Sequence, residues 1–137
     1  MMPTVNYLAI LVSAVVIFML GGLWYSPLLF AKPWMALQGK TREDVQASGG
    51  AGPMMYLQVF LSGLVTSFIM AMLISRLNSH EALTGVKLSI LCWAGFAAAT
   101  SYGTALFSFK SRALWAIDTT FNLVSFVVAG IILALWQ

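Results

Sequence analysis

The chain is predicted to fold as an all-α membrane protein with four transmembrane helices, and three observations lead there. Only eleven of its 137 residues are Lys, Arg, Asp or Glu, while 61% are apolar. Nearly all of those charges gather in three short breaks between four apolar stretches, each close to the roughly 20 residues a helix needs to cross about 30 Å of hydrocarbon. A water-soluble packing of core helices is excluded by the same composition, because 8% charged residues cannot give four helices a polar face each.

The first stretch runs from Val5 to Trp24. No Lys or Arg precedes its apolar run, and the run is longer than the core of a signal peptide, so it is expected to stay as a span. The break that follows, residues 25–53, is the one sizeable segment outside the apolar stretches. Its opening run from Tyr25 to Trp34 is aromatic and apolar. Ser26 suits a helix cap and Pro27 a first helical position, so a short turn of helix is expected from Pro27. Pro33 disfavours helix at Lys32 and should end it there. This composition suits a piece lying in the membrane interface with Lys32 snorkelling to phosphates. Thr41 with Asp44 reads as a capping box for a short polar helix reaching about Ala47. The glycine-rich run from Ser48 to Pro53 reads as a hinge. The remaining spans are expected at Met54 to Ser75, Leu88 to Phe109 and Ala113 to Trp136. With no other linker, residues 1–137 form one domain.

Basic residues set the expected orientation. Lys32, Lys40, Arg42, Lys110 and Arg112 lie in the first and third breaks, five against the two, Arg76 and Lys87, at the other side. The positive-inside rule then places both of those breaks in the cytoplasm and both termini outside, in the inner (plasma) membrane. Trp24, Trp34 and Trp115 fall near the expected cytoplasmic boundary and Trp136 near the opposite one, as amphipathic indoles do at headgroup depth. Topology thus accounts for the pI near 9.3. No folded, water-exposed basic surface is large enough to bind nucleic acid.

Small residues mark where helices can approach. Gly63, Ser67, Ala71 and Ser75 recur every four residues on the second span, and Gly95, Ala99 and Gly103 do so on the third. Such stripes bring helix backbones together where no hydrophobic force separates protein from lipid. The partner helix can belong to this chain or to a second copy, so a homo-oligomer is open. Tyr25 followed by Leu29 and Phe30 is echoed by Tyr102 followed by Leu106 and Phe107, which would make the spans two related hairpins.

Chemistry-bearing residues are few. Asp118 is the only acid within a span, and intramembrane acids are functional candidates by default. It lies near the cytoplasmic end, so it can instead cap a helix starting at Thr119 or pair with Arg112, Lys110 or Lys32. Asn122 and Ser125 continue its face at helical spacing, and Thr100, Ser101 and Thr104 bring hydroxyls to a similar depth. Together these groups could line a small polar cavity opening to the cytoplasm. His80 stands with Glu81 in an outer loop and cannot build a metal site from one chain. Cys92 is alone and mid-span, which excludes an internal disulfide and leaves it without a basic partner for nucleophilic work. Met54, Met55, Met70 and Met72 lack His or Cys among them and read as core filler. There is no phosphate-binding glycine loop, metal-ligand cluster or nucleophile–base pair, so no enzyme, metal or cofactor is expected.

The run from Gly21 to Trp34, with Gly22, Leu23, Trp24, Tyr25, Ser26, Pro27, Lys32 and Pro33 within it, resembles the signature of the domain of unknown function 1761 family. So do the segment from Arg112 to Asp118, the triplet Leu123, Val124, Ser125, and the ending from Gly130 to Trp136. Ala31 replaces a common Gly before the Lys, and Thr119 and Thr120 stand where a small or aromatic pair often follows the acid. The resemblance covers essentially the whole chain and implies a four-span integral membrane protein without an activity to carry over. Two functions are consistent with these residues. One is a non-catalytic scaffold that presents Trp24, Tyr25, Ser26, Pro27, Lys32 and Trp34 to lipid headgroups or a protein partner, with Asp118, Arg112 and Asn122 as a polar cavity or structural pair. The alternative is a small oligomeric transporter or channel with Asp118 in its path. The peripheral position of the only charge favours the first.

Overall fold

The computed structural model describes residues 5–39, 43–44 and 52–137, and these are overwhelmingly helical. Helix α1 spans Tyr7–Trp24 and is capped by Asn6, whose Oδ1 accepts from the Leu8 and Ala9 amides at 3.0 and 3.1 Å. A side-chain cap of this kind satisfies amides that have no partner inside the helix. At its other end the chain turns on Ser26. The Ser26 hydroxyl donates to the Leu23 carbonyl at 2.6 Å, and the Ala31 amide returns to the Ser26 carbonyl at 3.1 Å.

Helix α2 spans Ala31–Leu37. The short helix therefore starts where it was expected to stop, since residues 27–30 form turns and Lys32 is helical. Pro33 is the third residue of α2, where its missing N–H leaves no intrahelical bond unmade and its ring meets no preceding helical turn. The expected Thr41–Asp44 capping box falls on residues 41–42 outside the described ones, as does most of the hinge, residues 48–51. Gly52 caps helix α3, Pro53–Ser75, with an extended backbone, and Pro53 takes the first helical position.

Helix α4 spans Ala82–Phe107, and helix α5 spans Arg112–Leu135 with the Ser111 hydroxyl as its N-cap. The start of α4 corrects the expected one at Leu88. Lys87 broke the hydropathy pattern without breaking the helix, because a lysine near a helix end can extend its stem toward water. Within α4, Trp93–Ala98 form a π-helical segment. The side chains facing α5 (Gly85, Ser89, Trp93, Ser101 and Ala105) recur in steps of four or eight, and a strict 3.6-residue helix would carry such a row progressively off its face. The wider π turn absorbs that drift. Thr100 and Ser101 then donate to the loosened carbonyls of Phe96 and Ala98 at 2.7 and 3.3 Å.

Helices α1, α3, α4 and α5 are each long and apolar enough to cross a membrane. The most extensive contacts are α4 with α5 and α1 with α3, and α5 also packs on both α1 and α3. Ile10 of α1, Met70 and Ile74 of α3 and Leu133 of α5 centre the buried apolar cluster, with alanines filling between them. Gly63 lets α3 settle on α1, where an added Cβ would reach ordinary contact with the Ala14 carbonyl at 3.7 Å. The α3 stripe thus packs within the chain. The α4 stripe does not, since Gly95 and Gly103 have no neighbour within 4 Å of such a Cβ and Gly95 and Ala99 are exposed. The tight approach of α4 is elsewhere: a Cβ on Gly85 would strike the Gly130 carbonyl, and one on Gly130 the Gly85 carbonyl. Ser89 fastens this seam with its one hydroxyl proton placed between the Gly85 and Phe126 carbonyls, 2.6 and 2.7 Å from its Oγ.

Candidate functional site

Asp118, Lys110 and several aromatic donors converge where α1 ends and α4 turns into α5. That turn is built on Phe109, whose φ of 55° is left-handed. The Lys110 amide bonds back to the Ala105 carbonyl at 2.9 Å and the Phe109 amide to Leu106 at 3.3 Å, the paired closure of a Schellman motif. Lys110 is thereby delivered to the first turns of α5. Its Nζ meets Asp118 Oδ2 at 2.8 Å, with both side chains about one-third exposed (35% and 30%).

The other carboxylate oxygen faces the aromatic run. Asp118 Oδ1 accepts from the Tyr25 hydroxyl at 2.6 Å and from Trp34 Nε1 at 3.1 Å. Tyr25 follows α1 and Trp34 lies in α2, so one carboxylate ties both to α5. The rings reinforce this: Tyr25 lies 5.1 Å from Trp34 and 5.6 Å from Phe121, and Trp24 packs on Phe30 at 4.8 Å. Indoles from two sides also use α5 carbonyls. Trp24 donates to Ile117 at 3.1 Å and Trp93 to Thr119 at 2.8 Å. Burial foremost, then the hydrogen bond to Asp118 and its charge, raise the Tyr25 phenol well above its usual range, so it remains a proton donor.

Beside this cluster a cavity of about 470 Å³ opens between α4 and α5. Thr100, Ser101 and Thr104 form its α4 wall, and Trp115, Asp118, Thr119 and Asn122 its α5 wall, with Lys110 at the rim. Trp115 bridges the walls by donating to the Ser101 hydroxyl at 2.9 Å and stacking edge-on to Tyr102 at 4.8 Å.

Several sequence expectations take definite form here. Asp118 caps nothing, because α5 begins at Arg112, well before Thr119. Its cation is Lys110, while Arg112 lies outside the cavity lining. Ser125 is buried without a hydrogen-bond partner and is absent from that lining. Trp24, Tyr25 and Trp34 have their polar atoms engaged within the chain, leaving Pro27, Leu28, Leu29, Lys32 and Pro33 as the exposed part of the aromatic run. The contacts of Tyr25 and Trp34 with Asp118 span 93 and 84 residues of sequence. The one signal that could have indicated them is chemical: a lone acid in an apolar chain needs donors, and the hydroxyphenyl and indole groups at the same depth supply them.

Fold and site together define a helical protein with four helices suited to a membrane and a polar, aromatic-walled cluster at one end. The chain belongs to the family described as protein of unknown function (DUF1761), whose model matches residues 8–134. Comparisons with curated proteins and with solved structures give no match.

Proposed function

We propose that the protein is a four-span integral membrane protein of the inner (plasma) membrane that acts as a non-catalytic scaffold, holding α2 in the cytoplasmic interface for contact with lipid headgroups or a partner. The observation that carries this reading is the occupation of Asp118. A carboxylate has about four acceptor positions, and three donors, Tyr25, Trp34 and Lys110, already take both of its oxygens. Holding three donors from three parts of the chain suits a structural tie more than the capture of a free ion. Here the acid works as a clamp between α5, the end of α1 and α2. Leu28, 83% exposed, and Leu29, with Lys32 beside them, are then turned toward the interface, where apolar and basic side chains bind together. The five-to-two distribution of basic residues supports cytoplasmic placement of this end, with both termini outside. The outward Gly95, Ala99 and Gly103 face suits contact with a second copy.

Purification in native lipid followed by mass analysis tests the reading, with co-purifying lipid or protein as the expected result. Reporter fusions should place residues 32–44 inside and Gln137 outside. Asp118→Asn should fold and keep any growth phenotype, because it retains shape and hydrogen bonding. Loss of ion flux or growth in a well-folded Asp118→Asn protein would instead favour the oligomeric transporter or channel using Asp118.

A further inference from the structure

The cavity between α4 and α5 contains polar groups that the Asp118 clamp leaves unused. Lys110 Nζ spends one donor on Asp118 and keeps two. The Asn122 side-chain amide, on the α5 wall, has no hydrogen-bond partner among the described residues and keeps its donors and its acceptor. The Thr119 hydroxyl, also without a partner among the described residues, lies beneath the cavity surface and takes no part. On the opposite wall the Thr100 and Thr104 hydroxyls donate to backbone carbonyls at 2.7 and 3.2 Å, so each offers its lone pairs outward. Acceptors on the α4 wall thus face the Asn122 amide on α5 and the Lys110 ammonium at the rim across a space of about 470 Å³, within the size range of small-ligand sites.

Charge narrows the chemistry. The lining holds one lysine and one aspartate, already paired. A bare anion would face the carboxylate and a bare cation the ammonium, whereas a hydroxyl gives and accepts at once and suits a mixed wall without separating the pair. The Trp115 indole supplies an apolar wall for the C–H face of such a group. Interleaved in sequence with the lining residues Ala105, Ser108 and Lys110, Leu106 is 51%, Phe107 90% and Phe109 95% exposed. A soluble ligand has no use for that apolar lip, while acyl chains do. We propose that this cavity binds the polyhydroxylated headgroup, glycosyl or glycerol, of a membrane lipid whose chains lie along the exposed end of α4.

The inference rests on the spanning reading, and the experiment separates the two. Protein is first taken from the membrane fraction; a chain that does not sediment with membranes fails the spanning reading before any lipid is added. The intact protein is then examined by native mass spectrometry with glucosyl-diacylglycerol, phosphatidylglycerol, phosphatidylethanolamine and phosphatidylcholine of identical chains. The first two should be retained about fivefold over the last two, the discrimination that one or two hydrogen bonds provide. Thr104→Val and Asn122→Leu, each on the cavity wall, should abolish the preference. Thr104→Val should melt close to the natural protein, because the residue is exposed. Free glucose displacing the bound lipid would keep the polyol recognition and assign it to a soluble source. Equal retention of all four lipids, preference for the amine headgroups, or an unchanged preference in both variants would overturn the proposal.

Discussion

The two ends of the molecule are held by opposite means. Around Ile10, Ile74 and Leu133 the packing is chiefly apolar, and the closest approach, Gly85 against Gly130, is backbone on backbone, with the Ser89 hydroxyl bonded across it to the Phe126 carbonyl. Around Asp118 four side chains, Asp118, Lys110, Tyr25 and Trp34, share one hydrogen-bonded cluster. The first end depends on the absence of atoms and tolerates no addition. The second depends on specific atoms and should degrade in steps as they are removed. In lipid the first strategy is general, since association there relies on close packing, and the second is reserved for places where a charge must be satisfied.

The largest expected effect is at the packed end. Gly85→Leu and Gly130→Leu must separate α4 from α5, and we expect loss of about 3 kcal/mol or more, beyond ordinary overpacking because the obstacle is backbone. Gly95→Leu, on a face open within the chain, should fold normally. Thermal melting of the three variants in one detergent checks the contrast, and equal melting temperatures would remove the distinction between seam and open stripe. Should Gly95→Leu instead lower oligomer size with folding intact, the open face would be an interface between copies.

At the clamped end, Asp118→Leu leaves three donors without an acceptor. The ion pair is about one-third exposed, so water replaces part of what is lost, and we expect about 1–3 kcal/mol. Asp118→Asn keeps an acceptor for Tyr25 and Trp34 and should lose about half as much. Equal destabilisation by both would mean that the Lys110 pair alone matters.

Tyr25→Phe should cost about 1 kcal/mol at neutral pH, and its pH dependence sharpens the point. An unfolded tyrosine ionises near 10, while in the fold burial and Asp118 hold the proton more tightly. The contribution of Tyr25 is therefore complete below about pH 10 and declines as pH rises above it, because only the unfolded chain then releases the proton. Alkaline melting curves of the natural protein should fall more steeply than those of Tyr25→Phe. Parallel curves would place the Tyr25 hydroxyl in water.

These contrasts also mark what could be read from residues alone. The four apolar helices were legible because hydropathy over about 20 residues reports directly on burial in hydrocarbon. The α3 stripe was legible for a related reason: helical spacing puts Gly63, Ser67 and Ala71 on one face, whatever packs against it. The Gly85–Gly130 seam is hidden in the sequence because Lys87 reads as the edge of the apolar span, which leaves Gly85 outside a helix it belongs to. The clamp was hidden because it joins residues 93 apart through turns at Ser26 and Phe109, and turn geometry is a local property that does not announce what it brings together. Asp118, Asn122 and the α4 hydroxyls could be placed at one depth by counting turns. That Lys110 and not Arg112 pairs with the acid depends on a left-handed backbone that no glycine signals.

That turn gives the smallest prediction. Phe109 holds a left-handed conformation that costs an L-residue roughly 1 kcal/mol, and glycine is the usual occupant of the position. Its ring is 95% exposed among the described residues. Phe109→Gly removes the local strain but adds freedom to the unfolded chain, and the two effects nearly offset one another. In detergent the melting temperature should be unchanged or rise by the equivalent of up to about 1 kcal/mol. On the proposed spanning arrangement the ring falls at a span end, where an apolar group anchors a helix in a bilayer, so the same variant should lose stability there relative to its detergent value. A change of sign between the two media assigns Phe109 to lipid contact. A fall of the same size in both would mean instead that the ring supports the turn that carries Lys110 to Asp118.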